Sequence, residues 1–242
     1  MKEWRYRQYD RKRAQQVAEE EQMDFVFATL LTQRGMDTHD AVKGFVRPNL
    51  THLHEPFLLP DMKRAVDRIQ LARQRGEKVT VYGDYDADGI TSATLVYTCF
   101  VSMGIHAECY IPDRMEEGYG LNLSALEKIK ESGTTLVVTV DLGVTALEEV
   151  ASSRLDFVIT DHHEPLEELP CACAVVDPKR EDCNSPFCEL AGVGVAFKLV
   201  WALQYQRPLE EILKEYIDLV CLGTIADIVP LQGENRFLAT CG

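Results

Sequence analysis

Apolar and polar positions along the chain change rhythm near residue 76. Before it the spacing is helical. Phe25, Phe27, Leu30, Leu31, Val42, Phe45 and Val46 recur at helix-like intervals and predict a helical stretch over 24–47. Pro48, Pro56 and Pro60 then punctuate an irregular segment. Over 61–75, Met62, Ala65, Val66, Ile69, Leu71 and Ala72 line one face against Lys63, Arg64, Asp67, Arg68 and Arg73, an amphipathic helix that Gly76 stops. Beyond it, short apolar runs alternate with helical ones. Strands are predicted at 79–82, 106–111, 136–140, 157–160 and 174–176, and helices at 91–103, 123–131 and 144–153. Two more helices follow, 195–205 and 209–221. This alternation predicts an α/β fold with a parallel sheet and flanking helices. The expected organisation is an N-terminal helical and irregular extension, 1–60, packed on a core domain, 61–242.

Charge narrows the function. Lys plus Arg number 25 against 39 Asp plus Glu, a formal charge of −14 over 242 residues. A general duplex-DNA binder carries a basic footprint, which this chain lacks as a whole. A nucleic-acid role must then use a local basic patch, bound cations or a further part of the protein. Lys2, Arg5, Arg7, Arg11, Lys12 and Arg13 open the chain without an apolar run after them, so they read as a solvated helix or frayed arm and not as a secretory signal. No apolar run reaches the ~20 residues of a membrane span. The expected location is cytoplasmic, with no membrane partner.

The eight cysteines do not make a disulfide scaffold. Cys99, Cys109 and Cys221 lie in or beside apolar runs and read as small core residues. Cys171, Cys173, Cys183 and Cys188 form C-x-C, nine residues, then C-x4-C, which fits poorly with the paired C-x2-C knuckles of structural zinc. His52 and His54 sit on the Pro-rich stretch and read as surface residues.

The informative feature lies at the carboxyl end of each predicted strand. The first strand runs into Asp84-Tyr85-Asp86-Ala87-Asp88-Gly89, the third into Asp141-Leu142-Gly143, the fourth into Asp161-His162-His163. In an open parallel sheet the carboxyl ends of the strands share one edge, where ligands bind. Five Asp and two His are thereby delivered to one place. Carboxylates at that density repel unless cations neutralise them, and a mixed Asp/His set suits Mn2+ or Mg2+ better than zinc. One Asp after a strand is commonly only a helix cap, but three acidic strand ends together are not explained that way. The Asp84–Gly89 run fails as an EF-hand: Leu95 stands where the loop needs Glu, and a strand precedes it.

These residues resemble a known family, the DHH phosphoesterases, and within it the RecJ-type single-stranded-DNA-specific exonucleases. The resemblance is carried by HEPFLLPDM (54–62), VYGDYDADGITSA (81–93), EGYGLN (117–122), VTVDLGVTA (138–146), ITDHHEP (159–165), VVDPKRED (175–182), LAGVGVAFKL (190–199) and LGTIADIVPL (222–231). It implies a two-metal site for Mn2+ or Mg2+ held by Asp86, Asp88, Asp141, His162 and Asp227, with Asp84 as a neighbouring participant. It implies that Asp141 bridges the metals, that His163 faces the scissile phosphate and that Asp161 orients His162. Asp227 is flagged by the resemblance alone.

Thr91 and Ser92 begin the helix predicted after the first acidic loop, and the N-terminus of that helix would favour phosphate oxygens. Gly192 and Gly194 would let backbone approach substrate, and Arg114 and Lys179-Arg180 are candidate phosphate contacts. The implied activity is 5′-to-3′ exonucleolytic hydrolysis of single-stranded DNA in repair and recombination, with a repair helicase or single-strand-binding protein as candidate partner. A small-molecule or short-oligonucleotide phosphoesterase and a non-catalytic replication scaffold are the alternatives. The DHH-associated and OB-fold domains of such exonucleases have no counterpart in the sequence, so the chain reads as an N-terminal part of a longer protein or a truncated homologue. Asp177 stands after the fifth predicted strand without an assigned role.

Overall fold

The structure, a computed structural model, describes residues 5, 8–114, 118 and 120–242. Lys2 and Arg7 of the basic N-terminus, and Glu117 and Tyr119 of the EGYGLN string, lie outside the described residues. The chain divides into two compact units, Met1–His52 and Leu53–Gly242.

The first unit holds three short helices, α1 (Arg11–Glu20), α2 (Phe25–Thr32) and α3 (His39–Val46). Each starts on a side-chain cap, from Asp10, Asp24 and Thr38 respectively. Val17, Ala28, Leu31, Met36 and Val42 form its core. The stretch expected to be helical over 24–47 is therefore two helices. Gly35 takes a left-handed φ of 77° after α2, and Thr38 caps a new start.

The second unit begins at Leu53 and takes in the segment before α4 (Met62–Arg75), which is anchored to it. Leu53 and Leu59 are buried, and His54 Nδ1 lies 2.8 Å from Glu234 Oε1. Lys198 Nζ donates to the His54 carbonyl and pairs with Glu234. His54 is thus a structural residue rather than surface decoration.

Five strands form the sheet: β1 (Lys78–Gly83), β2 (His106–Tyr110), β3 (Thr134–Val140), β4 (Asp156–Thr160) and β5 (Ala174–Val176). Their order is β2-β1-β3-β4-β5 and every pairing is parallel. Both faces of the inner strands are covered, so they read as continuous apolar runs. On one face Tyr82, Val137, Phe157 and Ile159 pack with Leu126 and Ile129 of α6 (Leu123–Glu131) and Val150 of α7 (Leu147–Ser153). The alternate positions face α5 (Ala87–Ser102) and α8 (Gly192–Leu203), over which lie α9 (Leu209–Ala226) and then α10 (Gly233–Cys241).

Three differences from the sequence pattern bear on the site. α5 begins at Ala87 rather than 91, because Asp86 caps it by accepting the Gly89 N–H at 2.9 Å. Asp88 is thereby in its first turn, and Thr91, now a turn inside the helix, donates its hydroxyl to the Ala87 and Asp88 carbonyls. α9 runs on to Ala226, which sets Asp227 at its C-cap. The short α10 was not legible in the periodicity. Cys99 is buried as expected, but Cys109 is exposed on the edge strand β2. No helix among the described residues is long and apolar enough to cross a membrane.

Candidate metal centre

Parallel pairing puts the carboxyl ends of β1, β3, β4 and β5 on one edge, and acidic residues follow each of them. The loop after β1 folds tightly back on α5. A side chain at Gly89 would meet the Asp84 backbone at about 2.5 Å, so only glycine allows the turn. After β3, Asp141 adopts a φ of 63°, a conformation uncommon for a residue with a Cβ. Its N–H is fixed to the Thr160 carbonyl at 3.0 Å, which locks the β3 and β4 ends together.

Three overlapping sets of donor atoms result, each with its members within 4.8 Å of one another: Asp84, Asp86 and Asp141; Asp141, His162 and His163; Asp88, His162 and Asp227. Asp141 and His162 are each shared by two sets. His162 Nε2 lies 3.1 Å from Asp141 Oδ1 and 3.9 Å from Asp88 Oδ2, and its Nδ1 lies 3.8 Å from Asp227 Oδ2. Despite that approach, Asp141 Oδ1 and His162 Nε2 are both buried without a hydrogen-bond partner.

The electrostatics carry the same message. Burial, reinforced by Asp141, pushes the Asp88 carboxyl up; burial, reinforced by Asp86 and Asp161, pushes Asp141 up further. Asp84 and Asp227 are also raised, chiefly by burial. The protein alone does not stabilise this many carboxylates in ionised form. Orphaned buried donors, oxygen and imidazole ligands and no thiolate fit a hard divalent cation, Mn2+ or Mg2+.

Asp161 differs. Burial alone would raise its pKa, but His163 and backbone N–H groups hold it below the usual range. Its Oδ1 lies 2.7 Å from His163 Nδ1 and accepts the N–H groups of His162 and His163, while its Oδ2 accepts from Val144. The expectation that Asp161 orients His162 is corrected: the ring it holds is His163, because the His162 ring turns inward among Asp88, Asp141 and Asp227. In return the Asp161 contact pushes His163 up to about 9.

Residues 78–224 match the DHH family, N-terminal domain. The chain belongs to the DHH family. Among its relatives is the single-stranded-DNA-specific exonuclease RecJ of Bacillus subtilis (strain 168), 43% identical over 242 residues, covering 99% of this chain and 30% of the relative. The RecJ of Escherichia coli (strain K12) is 39% identical over 76% of this chain and 34% of its own length. The DHH chain therefore spans about a third of the length of these curated relatives. Its fold matches the crystal structure of RecJ from Thermus thermophilus in complex with Mn2+, with a TM-score of 0.75 and 28% identity over 96% of this chain and 33% of that one. A crystal structure of exonuclease RecJ bound to manganese gives 0.69 and 33% identity over 80% of this chain and 49% of that one.

Within the DHH domain, two expected substrate contacts are placed elsewhere. Gly192 and Gly194 are buried. The Gly192 and Val193 N–H groups, at the start of α8, both donate to Asp88 at 2.7 Å. That amide pair serves Asp88 and not a ligand, and the absent side chain of Gly192 makes room for Asp141. Lys179 lies near the site edge with Nζ 3.3 Å from Glu164. Arg180 is tied to Asp61 and Asp182. The Arg114 guanidinium sits 5.3 Å from the ring centroid of Tyr85, in the first acidic loop.

Two residues, Gly223 and Asp177, were read in the sequence without a role at the site. A Cβ on Gly223 would lie 3.0 Å from Asp88 Oδ1 and 2.8 Å from Val193, so this glycine lets α9 close over the site. The signal appears only once α9 is seen to run past the predicted 221 to Ala226, which puts this glycine inside the helix. Asp177 follows β5 as the other acids follow their strands. It is fully buried, with Oδ1 accepting the Lys179 N–H at 2.7 Å and Oδ2 unpartnered.

Proposed function

We propose that this DHH chain is the catalytic part of a metal-dependent exonuclease that hydrolyses single-stranded DNA from 5′ to 3′ in repair and recombination. The observation that carries the reading is the pair of shared donors, Asp141 and His162, left without hydrogen-bond partners inside overlapping acidic sets. The RecJ names of the relatives support the substrate class, and their Mn2+ and Mg2+ complexes support the cofactor.

Asp84, Asp86, Asp88, Asp141, His162 and Asp227 would hold two Mn2+ or Mg2+ ions. Such ions, when bound, polarise a phosphodiester and neutralise its charge. The chain's own residues do the rest. Asp141 belongs to both the Asp84/Asp86 and the His162/His163 set and ties them together. Asp88, gripped by α8, fixes the distance between the first loop and His162. His163 is 46% exposed, open to substrate while its Nδ1 is held by Asp161. The Asp161 contact raises its pKa, and it presents Nε2–H to a phosphoryl oxygen, or to the leaving oxygen as a proton donor. Arg114 and Lys179 are the candidate contacts for flanking phosphates. A chain of charge −14 then meets a polyanion through its ions and these few cations rather than through a basic face. A cytoplasmic location and a repair helicase or single-strand-binding protein as partner belong to the same reading. The retained Asp and His donors weigh against a non-catalytic scaffold.

The test is turnover of a 5′-phosphorylated single-stranded oligodeoxynucleotide by the 242-residue chain, with Mn2+ and with EDTA, beside a dinucleotide and pyrophosphate. Mn2+-dependent release of mononucleotides from the 5′ end is expected. Turnover of the small substrates alone would replace the reading with a small-molecule phosphoesterase.

A further inference from the structure

The turn after β5 is built around a carboxylate outside the donor sets. The ends of β4 and β5 are locked together where the Asp161 N–H donates to the Val176 carbonyl at 3.1 Å. Asp177 follows at once and is wholly buried. Its Oδ1 accepts the Lys179 N–H at 2.7 Å across Pro178, and the Arg180 N–H closes the turn on the Asp177 carbonyl at 3.5 Å. Pro178 fixes its own φ and offers no N–H, which leaves Lys179 as the donor to Asp177. On the other side Arg180 pairs with Asp61 at 2.9 Å and Asp182 at 2.7 Å, and it also donates to the Val175 carbonyl. The Lys179 backbone is thus held from both sides.

The Lys179 ammonium reaches across to the loop after β4. Its Nζ lies 3.3 Å from an oxygen of Glu164, the residue next to His163, and the Glu164 side chain is 80% exposed. A cavity of about 550 Å³ opens between the two loops, with Glu164, Lys179 and Arg180 in its wall. Arg180 is fixed by its two carboxylates, whereas Lys179 is held only by an exposed one. An ion pair between solvated groups is weak, and a phosphate oxygen accepts from an ammonium as a carboxylate oxygen does.

We propose that Asp177 is the positioning residue that presents Lys179 to a substrate phosphate, and that Glu164 occupies Lys179 until that phosphate displaces it. The assignment rests on the exonuclease reading above. Glu164 is then an internal competitor of the substrate beside the ring of His163, and Asp177 acts through the direction it gives the turn.

The experiment compares KM and kcat of the full chain for the 5′-phosphorylated oligodeoxynucleotide with Mn2+, with a thermal melt of every variant. Lys179→Ala should raise KM about tenfold. Asp177→Ala should reproduce much of that rise. Asp177→Asn, whose amide oxygen accepts the same N–H, should restore the wild-type KM. Glu164→Gln should lower KM about two- to fivefold at unchanged kcat. In the Lys179→Ala background Glu164→Gln should have no effect, because the competition needs the ammonium. An equal rise in KM for Asp177→Asn and Asp177→Ala overturns the positioning role. If Asp177→Ala does not fold, the Lys179 and Glu164 cycle still decides the competition. A Glu164→Gln effect of the same size with and without Lys179 shows a general charge acting on a polyanion and overturns it. A KM untouched by Lys179→Ala overturns both parts. Failure of the exonuclease reading looks different: the wild type leaves the oligomer intact and turns over the dinucleotide or pyrophosphate, and the same order of KM values is then read on that substrate.

Discussion

Asp161 holds His163 through a 2.7 Å contact from Oδ1 to Nδ1, and it is fully buried while its partner is half exposed. One carboxylate therefore fixes both the orientation and the charge of the ring that faces solvent. Asp161→Asn should bring the His163 pKa down from about 9 toward its ordinary 6.5, read by NMR titration of the metal-free chain. The linkage sign follows from the raised folded value: the stabilisation is fully present below about 6.5 and is lost as pH rises through about 9. The stability gap between wild type and Asp161→Asn should accordingly narrow above pH 9. A gap that stays constant with pH would mean that Asp161 acts through its backbone contacts alone.

Asp141 is shared between donor sets and carries a carboxyl that burial pushes up to about 9. Asn tolerates its left-handed backbone, so Asp141→Asn tests the charge without adding strain. Turnover should fall at least ~100-fold, the upper end of what even an outer partner of a metal ligand carries. Without metal the variant should melt higher than the wild type at pH 8, and Mn2+ should raise the melting temperature of the wild type only. Full activity with Mn2+ would sink the bridging role.

Gly223 and Gly194 separate close approach from ordinary packing. A methyl group at Gly223 meets Val193 at 2.8 Å and Asp88 at 3.0 Å, whereas at Gly194 it meets the flexible Leu190 side chain at 3.1 Å. Gly223→Ala should cost about 1–3 kcal/mol in denaturant unfolding and weaken Mn2+ binding. Gly194→Ala should cost less and leave the metal affinity alone. Equal effects would show that the α9 approach to Asp88 is not tight.

Lys198 and Glu234 form a fully buried ion pair, shared with His54. Burial pulls the Lys198 pKa down. Lys198→Met strands a buried carboxylate and should destabilise the fold by about 3–5 kcal/mol, while the double change with Glu234→Leu should recover much of it. A double-mutant cycle from urea melts reads the coupling. Strict additivity would mean that the pair is not interacting.

Asp177 gives a separate pH signature. Burial raises its carboxyl from 3.8 to about 7, so the folded state binds a proton that the unfolded state releases. Stability is lost as pH rises from 3.8 to about 7. Asp177→Asn removes that loss, and its advantage over wild type should grow across this window to on the order of 2–4 kcal/mol. An advantage that does not change between pH 4 and 8 would show an ionised Asp177.

The sequence by itself determined the sheet and the edge that carries the chemistry. Strand runs are local, and an acid placed after a parallel strand reaches the carboxyl edge whatever else packs around it; Asp84, Asp86, Asp88, Asp141, Asp161, His162 and His163 were legible for that reason. Asp227 entered through the LGTIAD string, because a residue at the end of α9 reaches the site only once that helix is laid over α5 and α8. Which ring Asp161 holds, and which N–H groups Asp88 accepts, depended on side-chain directions that sequence spacing leaves open. Asp161 selected His163 because the His162 ring turns toward three other carboxylates. Gly192 met Asp88 across more than a hundred residues of chain. The buried pairing of Lys198, Glu234 and His54 was likewise decided by tertiary structure, since it joins three segments that no local pattern connects.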